Sequence, residues 1–350
     1  MALWENNVRT VEPYVPGEQP SFPDMIKLNT NENPYPPAPG VAAVLKGFDT
    51  DVLRRYPKPD AHELAEQLAK EYNVGFNNVF VGVGSDDVLG TAFLTFFKGR
   101  LPILFPDITY SFYPVWAELY GIPYETPAVD EDFRIRKEDY YQMNGGIVIA
   151  NPNAPTTIAE PLSFIEDIVR HNADSVVIVD EAYIDFGGES ALELTKKYEN
   201  LLVVRTFSKS RSMAGMRIGF AIGSEKLISY MMAVRNSYNS YTMTTLSILC
   251  GAESLKDRGY FTKTVERIKE TRKRSVPELE KLGFKVLDSS ANFLFVSHEK
   301  AAAKEIFEKL KEKHIFVRYF AKPRIDNYLR ITVGTDEEMD RLFAALREIL

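Results

Sequence analysis

Between Ser175 and Phe220 two short apolar runs, Val176–Val179 and Leu201–Val204, each give way abruptly to polar residues, the first to Asp180 and the second to Ser208 and Lys209. Runs this short, β-branched and uninterrupted predict strands covered on both faces, as in a parallel sheet flanked by helices. Parallel strands deliver the residues that follow them to one edge of the sheet, the carboxyl edge, where open α/β sheets bind their ligands. Asp180 and Lys209 are therefore expected to face a common ligand.

The polar residues come in a definite order: Asp180 to Tyr183 as DEAY, then Ser208-Lys209, then Arg217 within AGMRIGF. VVIVDE is also the form of a P-loop ATPase strand, but the chain contains no G-x-x-x-x-G-K-[ST]. A carboxylate opposite a lysine suits pyridoxal phosphate, whose aldehyde bonds covalently to a lysine and whose ring nitrogen stays cationic against a carboxylate. In this order the residues resemble the fold-type I, pyridoxal-phosphate-dependent aminotransferase family. The resemblance implies Lys209 as the coenzyme lysine and proton carrier and Asp180 at the ring nitrogen. It implies Tyr183 at the ring hydroxyl, and Ser208 and Arg217 at the phosphate.

Other segments carry the resemblance over nearly the whole chain. NVFVGVGSDDVLGTAFLTFF reads as strand, glycine turn and helix, with Val88, Leu89, Ala92, Phe93 and Phe96 on a broad apolar face. Free N–H groups at such a helix start attract phosphate. The turn is not a dinucleotide fingerprint, because Gly82-x-Gly84 is followed by Asp87 where a third glycine belongs. The resemblance implies that Ser85 and Asp86 bind the coenzyme phosphate through their backbone, and that Tyr110 stacks on its ring. The turn NPNAPTT departs from the family's N-P-x-N-P-T-G, with Ala154 at the place of the second asparagine and Thr157 at the place of the glycine. Asn153 or Tyr183 is left to meet the ring hydroxyl.

Residues 1–40 carry Pro13, Pro16, Pro20, Pro23, Pro34, Pro36, Pro37 and Pro39, which predicts an extended arm rather than helix or central strand. By resemblance the arm crosses the active site, Tyr14 reaches the substrate, and Asn31, Glu32 and Asn33 shape the entrance. Tyr56 in RYP stands where the family's second subunit sends a tyrosine to the coenzyme phosphate, which implies a homodimer. Asp60 with Glu63 reads as a capping box opening a helix. The charged segment DRGYFTKTVERIKETRKRSVPELEKLG predicts a long helix broken near Pro277. Strands and helices then alternate to a last helix capped by Thr335 and Glu338. Arg318 and Arg330 fall on apolar strands there, and by resemblance they meet the anionic tail of the substrate, for which the guanidinium fork is suited.

The expected fold is α/β: a large domain, residues 34–254, with a mostly parallel central sheet covered by helices, preceded by the arm at 1–33 and followed by a smaller α+β domain at 255–350. A net charge of -7 argues against a nucleic-acid-binding surface. Cys250 is the single cysteine, which rules out an intrachain disulfide and suits a reducing cytoplasm. No apolar run approaches a membrane span, and MALWENNVRT lacks the basic-then-apolar form of a targeting signal. His62, His171, His298 and His314 lack metal-ligand spacing, so no metal is expected.

The resemblance of the whole chain implies transamination between L-histidinol phosphate and 2-oxoglutarate, in histidine biosynthesis. Transamination of aromatic amino acids and decarboxylation of phosphothreonine use the same apparatus on other substrates. A noncatalytic module that kept the fold is a reading from another class, and the presence of Lys209 speaks against it.

Overall fold

The computed structural model describes residues 3–350; residues 1 and 2 of the expected arm lie outside the described residues. In chain order the strands and α-helices are β1 (Ile26–Lys27), α1 (Pro39–Lys46), α2 (His62–Glu71), β2 (Val79–Gly82), α3 (Ser85–Phe96), β3 (Ile103–Leu104), α4 (Phe112–Tyr120), β4 (Tyr124–Glu125), β5 (Gly146–Ala150), α5 (Leu162–His171), β6 (Val177–Asp180), β7 (Leu201–Thr206) and β8 (Gly219–Gly223). They continue with α6 (Glu225–Tyr238), α7 (Thr245–Lys256), α8 (Arg258–Lys281), β9 (Phe284–Val286), β10 (Phe293–His298), α9 (Ala303–Glu312), β11 (Ile315–Phe316), β12 (Arg318–Tyr319), β13 (Leu329–Thr332) and α10 (Asp336–Ile349).

A seven-stranded sheet in the order β2-β8-β7-β6-β5-β3-β4 forms the centre of the molecule. The run β7-β6-β5-β3-β4 is parallel, and β8 is antiparallel to both β7 and β2. Every residue of β5, β6 and β7 is buried, as two helical layers require. Val88, Leu89, Ala92 and Phe93 of α3 pack with Trp116, Ile178 and Leu202 on one face. Ile165, Ile168 and Val169 of α5 pack with Ile147, Val177 and Val203 on the other.

A second, antiparallel sheet in the order β12-β13-β10-β9 carries α9 and α10. The proline-rich N-terminal segment runs extended and pairs β1 in parallel with β11. Ile26 and Leu28 thereby enter the core formed by Leu294, Ile331, Leu342 and Phe343, which anchors the arm to the smaller sheet.

Two local expectations fail. Ala61, not Asp60, is the residue before α2; it adopts a left-handed conformation (φ 51) and no side chain caps the helix. That turn displaces Asp60 from the capping position, and Glu63 pairs instead with Lys58 at 3.1 Å. Pro277 does not break α8, which runs unbroken from Arg258 to Lys281. Pro277 and Lys273 are both exposed, so the carbonyl that loses its partner meets water. The box at the start of α10 is present, with Thr335 accepting from Glu338 N–H and Glu338 accepting from Thr335 N–H.

Candidate active site

Asp180 ends β6 at the carboxyl edge, level with Ala150 of β5 and Val204 of β7. It is 5% exposed and has no cation paired to it among the described residues. Burial pushes its pKa up to about 6, opposed by hydrogen bonds from the Tyr113 hydroxyl and the Ala182 N–H and reinforced by Asp86 and Glu181. A buried carboxylate held this high is stabilised by any cation placed against it, and a protonated ring nitrogen is such a cation.

Lys209 follows β7 and is steered by contacts from two directions. Asn33 Nδ2 donates to the carbonyls of Lys209 (3.0 Å) and Ser210 (3.3 Å), and Ser210 Oγ is bonded to Asp185 Oδ2. The Lys209 ammonium donates to the Thr30 carbonyl of the arm at 3.1 Å and lies 5.8 Å from the centre of the Tyr183 ring. Asn33, expected to shape the entrance and meet the substrate, has its amide on the backbone of the lysine loop. The reason is its closeness to Lys209, which places the carbonyls of Lys209 and Ser210 within reach of its two amide protons.

An anion cradle lies where β2 meets α3. The first intrahelical bond of α3 runs from Val88 N–H to the Gly84 carbonyl, which leaves the N–H groups of Ser85, Asp86 and Asp87 without helical partners. Gly84 has φ 85, and a β-carbon there would stand 2.5 Å from the Arg217 guanidinium. Gly219 of β8 approaches just as closely: a β-carbon on it would meet the Ser85 nitrogen at 2.3 Å. Arg217 pairs with Asp86 Oδ2 at 3.4 Å, and the Tyr110 hydroxyl donates to Asp86 Oδ1 at 2.9 Å. Ser208 Oγ accepts from the Thr206 hydroxyl at 3.0 Å, which frees its own proton for another acceptor. A phosphate fits this donor set.

The turn at 151–157 corrects the place given to Asn153. Its Oδ1 accepts from Thr109 Oγ1 at 2.7 Å and its Nδ2 donates to the Ile108 carbonyl and Thr156 Oγ1, both at 2.9 Å. The amide braces the loop before Tyr110, and both of its protons are engaged there. Ala154 packs with Ala291, Phe293 and Tyr183, so Tyr183 carries the one hydroxyl of that wall. Thr157 takes a left-handed conformation (φ 70) and donates to the Asp288 carbonyl at 2.7 Å, which ties this turn to the β9–β10 connection.

Arg330 and Arg318 stand opposite one another on β13 and β12. Arg330 donates from one terminal nitrogen to the Asn29 carbonyl at 2.8 Å, while its buried Nε meets no acceptor. Its guanidinium lies 5.3 Å from the Phe293 ring, and burial pulls its pKa below the ordinary range. Arg318 reaches the Val15 and Pro16 carbonyls of the arm at 3.3 and 3.4 Å. Neither arginine has a carboxylate partner among the described residues. Tyr14 stacks on Phe112 with ring centres 4.3 Å apart, and its phenol, raised by burial, is pulled back down by Arg318 and Arg330. Tyr56 is elsewhere: 81% exposed, it stacks on Tyr241 and touches none of these groups.

Residues 23–346 match the family described as aminotransferase class I and II. The chain belongs to that family. It is a pyridoxal-phosphate-dependent aminotransferase, and the carboxylate, lysine and anion cradle just described fit that coenzyme. Among its relatives, histidinol-phosphate aminotransferase of Lactococcus lactis subsp. lactis is 50% identical over 347 residues, 99% of this chain and 96% of that one. Histidinol-phosphate aminotransferase 1 of Hydrogenovibrio crunogenus is 52% identical over 99% of this chain and 98% of its own. The fold matches the solved histidinol-phosphate aminotransferase of Sinorhizobium meliloti in complex with pyridoxal-5'-phosphate, with TM-score 0.85 and 24% identity over 93% of this chain and 90% of that one.

Tyr113 of this aminotransferase is a site residue to which the motifs do not point, since aromatics at the start of such a helix are ordinarily core. It is indeed fully buried, yet its hydroxyl donates to Asp180 Oδ2 at 3.0 Å. The available signal was its closeness in sequence to Tyr110: as the chain enters α4 the Tyr113 N–H donates to the Tyr110 carbonyl at 3.2 Å, and the two rings meet edge to face.

Proposed function

We propose that this aminotransferase exchanges the amino group of L-histidinol phosphate with 2-oxoglutarate, as a step of histidine biosynthesis in the cytoplasm. The observation that carries the reading is the half-buried Arg330, beside Arg318, which among the described residues has no acidic partner and whose buried Nε lacks any acceptor. A guanidinium left open in this way is a site for an anion. The names of the relatives at 50–52% identity agree with a phosphorylated amine as the molecule that brings it.

Pyridoxal phosphate, when bound, supplies an electron-withdrawing ring that carries the amino group between the two half-reactions. Asp180 holds the ring nitrogen, and its burial keeps the pairing dry. Ser208, Arg217 and the N–H groups of Ser85 and Asp86 hold the phosphate. Tyr110 covers one side of the ring, and Tyr183 donates to the ring hydroxyl. Lys209 would hold the coenzyme covalently and, when its amine is free, would carry a proton from the substrate carbon to the coenzyme, first as general base and then as general acid. Arg318 and Arg330 hold the phosphate of one substrate and a carboxylate of the other, and Tyr14 closes the same pocket.

The working unit in this proposal is a homodimer, in which Tyr56 reaches the coenzyme phosphate of the second copy. Its exposure, together with that of Leu53 (62%) and Tyr241 (47%), supports an apolar face that a second copy covers. The proposed division of the chain is an arm at 1–33, a large domain at 34–254 and a small domain at 255–350. The cluster of Tyr14, Tyr110 and Phe112 favours, as a second reading, aromatic amino acids as donors.

The test compares kcat/KM for L-histidinol phosphate, L-histidinol and L-phenylalanine with 2-oxoglutarate as acceptor. Preference for the phosphorylated amine over L-histidinol by about 100-fold is expected, corresponding to about 3 kcal/mol from charge-assisted hydrogen bonds. Equal use of the two amines contradicts the reading. Preference for L-phenylalanine moves the enzyme to the second one.

A further inference from the structure

Asn31 is 1% exposed and left-handed (φ 57), and all its polar groups are engaged. Its N–H donates to Thr332 Oγ1 at 3.0 Å, its Oδ1 accepts from the Thr332 hydroxyl at 3.1 Å, and its carbonyl accepts from Asn292 Nδ2 at 3.0 Å. Its Nδ2 donates to the Tyr183 hydroxyl oxygen at 3.0 Å. The orientation of the amide follows from Thr332, whose buried hydroxyl has no other acceptor among the described residues; turning the amide over would strand that proton.

A tyrosine hydroxyl that accepts from one side has its own proton free to turn to another. Tyr183 has no further hydrogen-bond partner among the described residues, and its neighbours on the wall, Ala154, Ala291 and Phe293, are apolar. Nothing in that wall competes for the proton, and the committed amide of Asn153 offers no second donor.

We propose that Asn31 is a positioning residue: by occupying the acceptor side of the Tyr183 hydroxyl it turns the proton into the cleft, so that the arm sets the direction of the only side-chain donor on that wall. This rests on the reading above that Tyr183 faces the ring hydroxyl of the coenzyme. Through Thr332 and Asn292, Asn31 also ties this direction to β13 and to the start of β10, so the smaller sheet shares in setting it.

The test is a pH titration of the absorbance of bound pyridoxal phosphate in the holoenzyme. A hydrogen bond donated to the ring oxygen favours its deprotonated form, so losing it raises the pH midpoint of the spectral change. The titratable groups around Tyr183 are Lys209, Arg330 and the phenols of Tyr14, Tyr110 and Tyr113, and the variants leave all of them in place. Tyr183→Phe is expected to raise the midpoint by about one pH unit, as the loss of one hydrogen bond to a charged group implies. Asn31→Gly, which keeps the left-handed backbone accessible, is expected to raise it part of the way in the parent and not at all in the Tyr183→Phe background. Asn31→Asp is a second variant of the same shape. It draws the tyrosine proton to itself, and its shift is expected to be smaller in the Tyr183→Phe background than in the parent.

A lower melting temperature for Asn31→Gly and Asn31→Asp with the midpoint where the parent has it would overturn the proposal and leave Asn31 a structural residue. If Tyr183→Phe itself leaves the midpoint unmoved, the placing of Tyr183 at the ring hydroxyl fails, and the role of Asn31 fails with it.

Discussion

The hydroxyl of Tyr113 donates to Asp180 Oδ2 at 3.0 Å, between two side chains that are both buried. The bond favours the ionised form of a carboxylate that burial has pushed up to about 6. The sheet edge thus holds an acid that is uncomfortable alone and satisfied by a cation. At about 1.4 kcal/mol per pH unit, keeping it ionised near neutrality without a cation costs roughly 3 kcal/mol.

Coenzyme-free Asp180→Asn is accordingly expected to be more stable than the coenzyme-free parent near pH 7, and close to it at pH 4. The sign follows from linkage: a folded-state pKa raised above 3.8 contributes stability at low pH that is lost as pH rises toward about 6. Urea unfolding of both proteins at the two pH values measures the difference. The same substitution is expected to weaken coenzyme binding strongly, since it removes the carboxylate proposed to pair with the ring cation.

Tyr113→Phe removes one of the two hydrogen bonds that hold the Asp180 carboxylate down. The acid limb of the kcat/KM profile is expected to move to higher pH, with activity near pH 8 less affected than activity near pH 6. A uniform loss at all pH values would assign Tyr113 to packing alone.

Behind the lysine loop, Arg205 Nε and one terminal nitrogen both bind Glu181 Oε2 at 2.9 Å. Glu181 also accepts from Ser190 Oγ at 2.7 Å and from the Ala191 N–H at 2.6 Å. Glu181→Ala leaves the buried Arg205 with only the longer pairing to Asp185 at 3.5 Å, so it is expected to cost about 3 kcal/mol in chemical unfolding. Surface pairs such as Lys196 with Glu193 are expected to contribute about 1 kcal/mol or less.

Arg330→Met keeps an unbranched apolar side chain and removes the charge that lies 5.3 Å from the Phe293 ring. It is expected to reduce kcat/KM for L-histidinol phosphate about 100-fold while changing that for L-histidinol little. Retention of the full preference for the phosphorylated amine would take the phosphate away from Arg330.

The alternation of apolar runs with polar endings announced the central sheet, because buried parallel strands have no polar face to blur the pattern. Asp180 and Lys209 were legible for the same reason: the first directly follows such a run and the second comes within a few residues of one. Asn31 and Asn33 were visible as residues of an arm but not as partners of Tyr183 and the lysine backbone, since those contacts span 152 and 176 positions of the chain. Asn153 misled, because its amide is spent on a loop whose path the sequence does not display. Ala61 shows the smaller version of the same limit, a single left-handed residue that undoes a well-formed capping motif.

The most direct measurement is a single-turnover spectrum. Holoenzyme is mixed with L-histidinol phosphate in the absence of an acceptor and the coenzyme absorbance is followed, then 2-oxoglutarate is added. Conversion of one equivalent of coenzyme, reversed by 2-oxoglutarate with release of glutamate and abolished by Lys209→Ala, is the expected result. An unchanged spectrum with L-histidinol phosphate, or faster conversion with L-phenylalanine, would contradict the assignment of substrate, and conversion at the native rate by Lys209→Ala would contradict the mechanism.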